Sequence, residues 1–438
     1  MATRVRSFSK INLGLAIGPV RADGFHGLAT LYQTLALHDV VTVEVTPASR
    51  LEVRGSGEDE AHVPGAKAQI HSAPGMPGLK SRPISETTPL AVHAGSRFEV
   101  PGSEEDGESV DAELPDVAES KITLTTNHPG VPTDGRNTAW KMVELALARM
   151  GVVAEVKIHI QKELPVQGGM GAGSANAAAA LIGLERELGF SLSELARMEV
   201  AAEVGSDVPL FLLGGAVLGT ERGERVREMP DLARTWCVVA VPEVGVSTPR
   251  AFRDWDALTS SVEPDRLEKL SHVYATVLGA NPSAELASDT SGIVRSRQDF
   301  FNSETKQGGL EEPGFTSEQG GVLNGLAGNT LLALVRTGIE NDFETVVFPQ
   351  YPLLREIKRI LMGTSAGGSA EFAEARPDGL SGTALYAALS GSGSALFGLY
   401  GSEADARAAQ QRVQKFGCKA LLTWTLPRTD YWSTMFAE

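Results

Sequence analysis

Apolar and polar residues alternate along several short segments of the chain, and this period-two pattern predicts β-strands. The clearest examples are Val41, Val43 and Val45 near the start of the chain, and Val156, Ile158 and Ile160 in its middle. Side chains two positions apart point to the same face of a strand, so each segment can bury one face. The pattern therefore predicts strands and hairpins in residues 5–46 and a half-buried strand at residues 156–160.

Apolar residues at helical spacing and uninterrupted apolar runs predict the other elements. Ser191 to Glu194 match a capping box that opens a helix to about residue 203. The remaining predicted helices are 137–150, 264–278, 330–337, 351–361 and 403–414, and the remaining predicted strands are 236–241, 384–389, 395–400 and 419–425. The order of elements in the second half indicates an α+β domain.

The most informative segment is residues 162–176, KELPVQGGMGAGSAN, which lies between the strand at 156–160 and strong helix formers at 177–184. Glycine adopts positive φ easily and lets a backbone approach a ligand closely. Exposed N–H groups and the positive end of a helix together favour phosphate. We therefore predict that Gly168, Gly169, Gly171 and Gly173 take part in a nucleotide site, although a glycine cluster also occurs in simple turns.

The spacing of these glycines excludes two common phosphate loops. A P-loop requires a lysine after its second glycine, and none follows here. A dinucleotide-binding fingerprint requires G-x-G-x-x-G, which the run Gly169 to Gly173 does not match.

Two polar positions interrupt apolar segments elsewhere. Lys10 and Asn12 lie two apart in a predicted strand and point to one face, where polar groups are costly unless they are used. Asp207 lies in a short turn before the apolar run 210–213, where a carboxylate could act as a base near an alcohol. A solvated lysine on an edge strand and an aspartate that caps a turn are the structural alternatives.

These segments together resemble the GHMP small-molecule kinases. The resemblance rests on Lys10 to Leu13, Pro165 to Ser174, Asp207 to Pro209, and the glycine turn at 389–394. RADGFH at 21–26, TLYQ at 30–33 and VGVSTP at 244–249 resemble the branch of that family that phosphorylates 4-diphosphocytidyl-2-C-methyl-D-erythritol in the non-mevalonate isoprenoid pathway. The resemblance covers most of 1–46, 122–280 and 321–422.

The resemblance implies a two-domain α+β fold. Residues 1–220 would form an N-terminal mixed α/β ATP-binding domain with an acidic insertion near 55–120, which holds 13 Asp and Glu against 4 Lys and Arg. Residues 221–438 would form a C-terminal α+β substrate domain with insertions near 281–320 and 363–382.

The resemblance also implies roles for individual residues. Asp207 would accept the proton of the substrate 2-hydroxyl, and Lys10 would stabilise charge. The cytosine ring would stack between Phe25 and Phe252, with His26 reading its edge. Mg²⁺ would be coordinated mainly by the phosphates of ATP, without a dedicated set of protein ligands. The implied ATP-binding residues are Pro165, Gly168, Gly169, Met170, Gly171, Ala172, Gly173, Ser174, Asn137 and Lys162. The implied substrate-binding residues are Asn12, Phe25, His26, Phe252, Gly391, Ser392 and Gly393.

Two alternatives remain open at this point. The chain could be another GHMP kinase of the homoserine or mevalonate type, which would not need the aromatic site around His26 and Phe252. It could also be a non-catalytic sensor with the same fold, although such a protein would be expected to lack Lys10 or Asp207, and both are present.

Composition narrows the class of partner. The 438 residues carry 39 Lys and Arg against 55 Asp and Glu, and the net charge of −16 argues against nucleic acid as a partner.

Cys237 and Cys418 lie far apart in apolar runs, which indicates core packing rather than a disulfide framework or a zinc site. The chain shows neither a signal-peptide pattern nor an apolar stretch of about 20 residues, so we expect a cytoplasmic protein without a membrane partner. The oligomeric state stays open.

Overall fold

The computed structural model describes residues 2–47, 120–166, 168–258, 266–277, 335, 338–363 and 383–438. The chain divides into two units, residues 1–48 with 119–438, and residues 49–118. The predicted insertions at 55–120 and 281–320 lie outside the described residues, apart from Ser120. The same holds for all of the 363–382 insertion except Gly363, and for nearly all of the predicted helix at 330–337.

The first sheet is built on a long hairpin of β1 (Thr3–Val20) and β2 (His26–Pro47). The other strands are β3 (Lys121–Thr126), β4 (Ala154–Gln161), β5 (Ala216–Glu221) and β6 (Arg225–Glu228). Their order is β3-β4-β2-β5-β6, with β1 paired to β2. Only the β3–β4 pair among these is parallel. The alternating valines of β2 are buried at Val41 and Val43, as their spacing predicted.

Four helices accompany this sheet in the described part of the chain: α1 (Thr138–Met150), α2 (Ala172–Leu188), α3 (Glu194–Val204) and α4 (Val208–Leu213). The alanine-rich α2 is buried over most of its length, because its small side chains let it lie close to the sheet. At Gly183 a Cβ atom would lie 2.7 Å from Val43 Cγ2, which shows how close the approach is.

The second sheet contains β7 (Trp236–Val241), β8 (Tyr386–Leu389), β9 (Leu396–Tyr400) and β10 (Lys419–Trp424) in the order β10-β7-β9-β8. All of its pairs are antiparallel. The helices described in this half are α5 (Thr248–Leu258), α6 (Arg266–Val277), α7 (Phe343–Gln350), α8 (Pro352–Met362), α9 (Glu403–Lys415) and α10 (Arg428–Ser433).

The predicted strands of the second half and the predicted helices at 137–150, 264–278, 351–361 and 403–414 are confirmed to within a few residues. The predicted cap of α3 is wrong by two positions, because Ser193 rather than Ser191 accepts a hydrogen bond from the N–H of Ala196, at 3.3 Å. Helix α7 was not predicted, since its two adjacent valines and Pro349 are poor helix formers.

Both cysteines are buried and free, as expected. Within the described residues, no helix is long and apolar enough to cross a membrane. The predicted domain boundary near residue 220 stays a prediction.

Candidate functional site

Lys10 and Asn12 lie on one face of β1, where the pairing with β2 is irregular on both sides of them. Such bulges bend a strand locally and redirect its side chains. The Lys10 side chain is 3% exposed, and its Nζ lies 3.2 Å from Asp207 Oδ2. Lys10 Nζ also donates to Asn12 Oδ1 at 2.7 Å. The edge-strand alternative with a solvated lysine is therefore wrong, because the ammonium group is enclosed and paired.

Asp207 lies in the turn between α3 and α4, and its side chain is 33% exposed, so the carboxylate is accessible to solvent. Its side chain makes no capping hydrogen bond to α4, which argues against the turn-capping alternative. The hydroxyl of Tyr32 donates to Asp207 Oδ1 at 3.0 Å, while Lys10 contacts Oδ2. Each carboxylate oxygen therefore has one partner.

Two residues on β2 complete this cluster, and sequence reasoning assigned neither of them a role. Thr30 Oγ1 accepts a hydrogen bond from Asn12 Nδ2 at 2.8 Å and donates to the Gly14 carbonyl at 3.0 Å. Tyr32 is the cross-strand partner of Asn12. Counting the β1–β2 register from the hairpin tip would not have found this pair, because the irregularities between Ile17 and Val20 and between Asn12 and Gly14 shift the pairing by two residues.

The glycine-rich loop joins β4 to α2. Gly168, Gly169 and Gly171 have φ values of 126°, 79° and 69°, in the region that favours glycine. Gly173 differs from the prediction, because it lies in the first turn of α2, which begins at Ala172 rather than near residue 177. The N-cap of α2 is Gly171, so no side chain covers the leading N–H groups of the helix. The loop thus presents backbone donors, with the Ser174 hydroxyl in the same helical turn.

The loop lies directly against the lysine strand, since the Lys10 N–H donates to the Met170 carbonyl at 3.0 Å. The predicted phosphate segment and the predicted catalytic lysine are therefore neighbours. Ala172 is buried in the same region, and Pro165 is half-buried at the start of the loop.

The C-terminal glycine turn reaches the same place. The N–H of Ala395 donates to the Gly168 carbonyl at 3.1 Å, and the Ser390 hydroxyl donates to the Gly169 carbonyl at 3.0 Å. A Cβ atom at Gly391 would lie 3.5 Å from Asn12 Oδ1. Three segments that are distant in sequence therefore meet at one site.

Two side chains brace the C-terminal glycine turn. Asn341 Nδ2, which was not predicted, donates to the carbonyl oxygens of Leu389 and Gly391 at 2.8 and 2.7 Å. The hydroxyl groups of Ser392 and Thr248 lie 2.6 Å apart, which ties the turn to the start of α5. Gly393, with a φ of 92°, completes the turn.

The predicted aromatic residues lie at the tip of the β1–β2 hairpin and on α5. The His26 ring stacks on Phe252, with centroids 5.1 Å apart and planes inclined by 6°. His26 Nδ1 lies 2.9 Å from the Gly18 carbonyl oxygen, and Nε2 lies 3.1 Å from Asp256 Oδ1. Phe25 is 56% exposed, with the Arg222 guanidinium 5.3 Å from its ring centroid. The ring that faces Phe252 is thus that of His26, and a cytosine between Phe25 and Phe252 stays a prediction.

Lys162 and Asn137 already have protein partners. Lys162 forms a buried ion pair with Asp39, whose other oxygen accepts the N–H groups of Glu163 and Leu164 at 2.8 Å. Asn137 caps α1 by accepting from the Ala139 N–H at 2.9 Å, and its amide donates to the Pro132 carbonyl at 2.8 Å. Their contacts to ATP stay predictions. Among the described ranges, no group of three His, Cys, Asp or Glu side chains is placed to hold a metal ion.

Comparison with known proteins places these features in one family. Residues 137–215 match the model of the GHMP kinases N terminal domain, and residues 373–418 match that of the GHMP kinases C terminal domain. A 4-diphosphocytidyl-2-C-methyl-D-erythritol kinase of Rhodococcus jostii is 34% identical over 291 residues, which cover 65% of this chain and 70% of the relative. A kinase of the same name from Streptomyces avermitilis is 31% identical over 317 residues, or 71% of this chain and 83% of the relative.

Solved structures agree on the fold. A crystal structure of 4-(cytidine 5'-diphospho)-2C-methyl-D-erythritol kinase aligns with a TM-score of 0.50 at 21% identity, over 96% of this chain and 99% of the other. A homoserine kinase from Cytophaga hutchinsonii aligns with a TM-score of 0.51 at 15% identity, over 97% and 95% of the two chains. At these identities the likeness shows a shared two-domain α+β fold and does not distinguish between acceptors.

Proposed function

We propose that this chain, which belongs to the GHMP kinase family, transfers the γ-phosphoryl group of ATP to the 2-hydroxyl of 4-diphosphocytidyl-2-C-methyl-D-erythritol. The observation that carries the proposal is the Lys10–Asp207 pair, held beside the glycine loop by the hydrogen bond between Lys10 N–H and the Met170 carbonyl. A base for an alcohol and a cradle for phosphates are then adjacent, as phosphoryl transfer requires.

The glycine loop and the start of α2 would bind the phosphates of ATP. Positive φ at Gly168, Gly169 and Gly171 supports this role, because glycine in this conformation lets the backbone approach a ligand closely. The uncapped N-terminus of α2 adds its positive end. Mg²⁺ bound to the phosphates would neutralise part of their charge, and the Ser174 hydroxyl is the side-chain oxygen of this segment that could contact it.

The residues of the pair would act as follows. Asp207 accepts the proton of the acceptor hydroxyl as the oxygen forms a bond to the γ-phosphorus. The bond between that phosphorus and the β,γ-bridging oxygen breaks, and ADP leaves with the bonding electrons. The Lys10 ammonium, 3.2 Å from Asp207, stabilises negative charge on the reacting oxygens.

The identity of the acceptor rests on the relatives and on the aromatic site. The exposed ring of Phe25 supports binding of a flat base, and the next residue, His26, has its ring stacked on Phe252. Base stacking contributes about 1–3 kcal/mol per ring. Asn12 contacts Lys10, and Gly391 lies beside Asn12. These two residues, with Ser392 and Gly393 of the same turn, would contact the part of the acceptor that carries the hydroxyl.

The direct test is ADP release by the purified chain with ATP, Mg²⁺ and 4-diphosphocytidyl-2-C-methyl-D-erythritol, beside reactions with homoserine and with mevalonate. We expect turnover with the cytidine compound alone. Turnover with another acceptor would retain the kinase chemistry and discard the cytosine site. ATP binding without turnover on any acceptor would favour the non-catalytic sensor.

Asp207→Asn tests the proposed base. The amide has nearly the same shape but cannot accept the proton, so we expect kcat to fall by about a thousandfold while ATP affinity changes little. The measurement is steady-state kinetics together with calorimetric titration of ATP. Near-normal turnover of this variant would show that Asp207 is not the base.

A further inference from the structure

We propose that Tyr32 is a positioning residue for phosphoryl transfer, holding the Asp207 carboxylate in the orientation that accepts the acceptor's proton. This inference rests on the proposed function, because it assigns Tyr32 a role through Asp207 rather than through any ligand. The two oxygens of Asp207 have different partners: Oδ1 accepts from the Tyr32 hydroxyl at 3.0 Å, and Oδ2 lies 3.2 Å from Lys10 Nζ. Two contacts on opposite oxygens fix the rotation of a carboxylate, whereas one contact leaves it free to turn.

Tyr32 can hold this position because its own ring is confined. The side chain is almost fully buried on β2. A Cβ atom at Gly219 would lie 2.6 Å from Tyr32 Cε2, and one at Gly223 would lie 2.7 Å from the Tyr32 hydroxyl oxygen. The β5–β6 hairpin thus approaches the tyrosine so closely that only glycine fits at these positions, and the hydroxyl has little room to move.

The same side chain also contacts the second member of the pair. Lys10 Nζ lies 5.3 Å from the centroid of the Tyr32 ring, within the range of a cation–π interaction. The face of the ring therefore attracts the ammonium while its hydroxyl holds the carboxylate. Tyr32 sets the relative placement of Lys10 and Asp207 from one rigid strand.

The direction of the hydrogen bond follows from the surroundings of Tyr32. Burial, followed by the negative charge of Asp207, raises the pKa of Tyr32 well above its ordinary value, and Glu224 acts in the same direction. The phenol therefore stays protonated and donates a hydrogen bond to the Asp207 carboxylate. The charged groups that face this contact are Lys10 on β1, Asp207 before α4 and Glu224 after β5, and α4 itself carries no titratable side chain.

Tyr32→Phe tests the proposal, because it retains the ring and removes only the hydroxyl. We expect kcat to fall by about tenfold, the scale of one hydrogen bond to a charged group, with little change in the KM for ATP or acceptor.

Tyr400→Phe is the matched control. Tyr400 is another buried tyrosine, and its hydroxyl donates to the Leu361 carbonyl at 2.9 Å, in the second half of the chain. We expect it to lower the melting temperature about as much as Tyr32→Phe and to leave kcat unchanged.

Gly223→Ala provides a second route that leaves Tyr32 itself intact. The added methyl group would push the Tyr32 hydroxyl away from Asp207, so we expect the same fall in kcat with the same nearly unchanged KM values. Wild-type kcat in both variants would overturn the role of Tyr32. A wild-type chain without turnover would instead overturn the proposed function, so the two failures are distinguishable.

Discussion

The backbone of Gly169 packs directly against the backbone of Ser390, and this contact requires that residue 169 has no side chain. Gly169 has a φ of 79°, and a Cβ atom there would lie 2.1 Å from the Ser390 carbonyl oxygen. A real Cβ cannot approach a backbone oxygen so closely, so the glycine loop and the C-terminal glycine turn meet only because this residue is glycine. The contact joins the proposed phosphate cradle to the turn that lies over Asn12.

Gly169→Ala should therefore damage stability and nucleotide binding together. We expect a loss of roughly 2–4 kcal/mol, from strain at positive φ and from displacement of the turn. Gly189→Ala is the matched control, because Gly189 has a φ of 76° but a Cβ there would meet nothing within 4 Å. Thermal denaturation and ATP titration of both variants measure the difference. Equal losses in the two would mean that the contact with Ser390 contributes nothing beyond backbone strain.

Sequence reasoning at this scale identified residues but not their contacts. Lys10 and Asp207 stood out because each is a charged group beside apolar neighbours. Their 3.2 Å separation depends on how α4 is placed against β1, which no local pattern specifies. Tyr32 was missed because a buried tyrosine among apolar neighbours resembles an ordinary core residue until its partner is known. Asn341 was missed because its neighbours Glu340 and Asp342 make it resemble an exposed polar residue.

Among the elements, the link from β4 to the glycine loop is held by one buried ion pair. Lys162 follows β4 directly, and Asp39 lies on the adjacent strand β2 with its side chain fully buried. Asp39 also accepts the N–H groups of Glu163 and Leu164, so the carboxylate organises the backbone that leads into the loop. These contacts support an architectural role for Lys162 beside the ATP contact that the family resemblance implies.

Lys162→Met separates the two roles. Removing the ammonium leaves the Asp39 charge buried without its ion-pair partner, and we expect a loss of about 3–5 kcal/mol in the free energy of unfolding. The double variant Lys162→Met with Asp39→Asn removes both charges, and we expect it to recover most of that stability. Denaturant unfolding gives the stabilities, and ATP titration of the folded double variant gives the affinity. Normal ATP affinity in the double variant would assign Lys162 to architecture, and a large loss would support contact with ATP.

Periodicity predicted most elements, because strands and helices that bury one face carry that face in their spacing. The alternation in β4 and the uniform apolar run of β7 gave bounds close to those observed. Periodicity failed for elements whose apolar residues do not recur at helix or strand spacing. Helix α7 contains Pro349 and is held in part by tertiary packing, and α2 begins with the glycine and serine that the sequence assigned to the loop. Tertiary contacts outweighed local propensity at both places.

For the whole molecule, the sheet geometry indicates that residues 49–118 can be replaced without disturbing the site. Pro47 at the end of β2 pairs with Ala154, and Lys121 at the start of β3 pairs with Glu155, so both ends flank the beginning of β4. Two strand spacings separate them, a distance of about 10 Å. A flexible linker of about five residues has a mean end-to-end distance of about 12 Å and can join them.

We therefore expect a chain in which five Gly and Ser residues replace 49–118 to fold and to keep kcat within about threefold of the full chain, since Lys10 and Asp207 both belong to the other unit, residues 1–48 with 119–438. Steady-state ADP release and thermal denaturation of both chains measure this. Asp207→Asn in the shortened chain is the control, because loss of turnover there shows that the activity comes from the same site. An inactive shortened chain with a cooperative melting transition would show that 49–118 contributes to catalysis. A chain that does not fold would show that the first sheet depends on that segment.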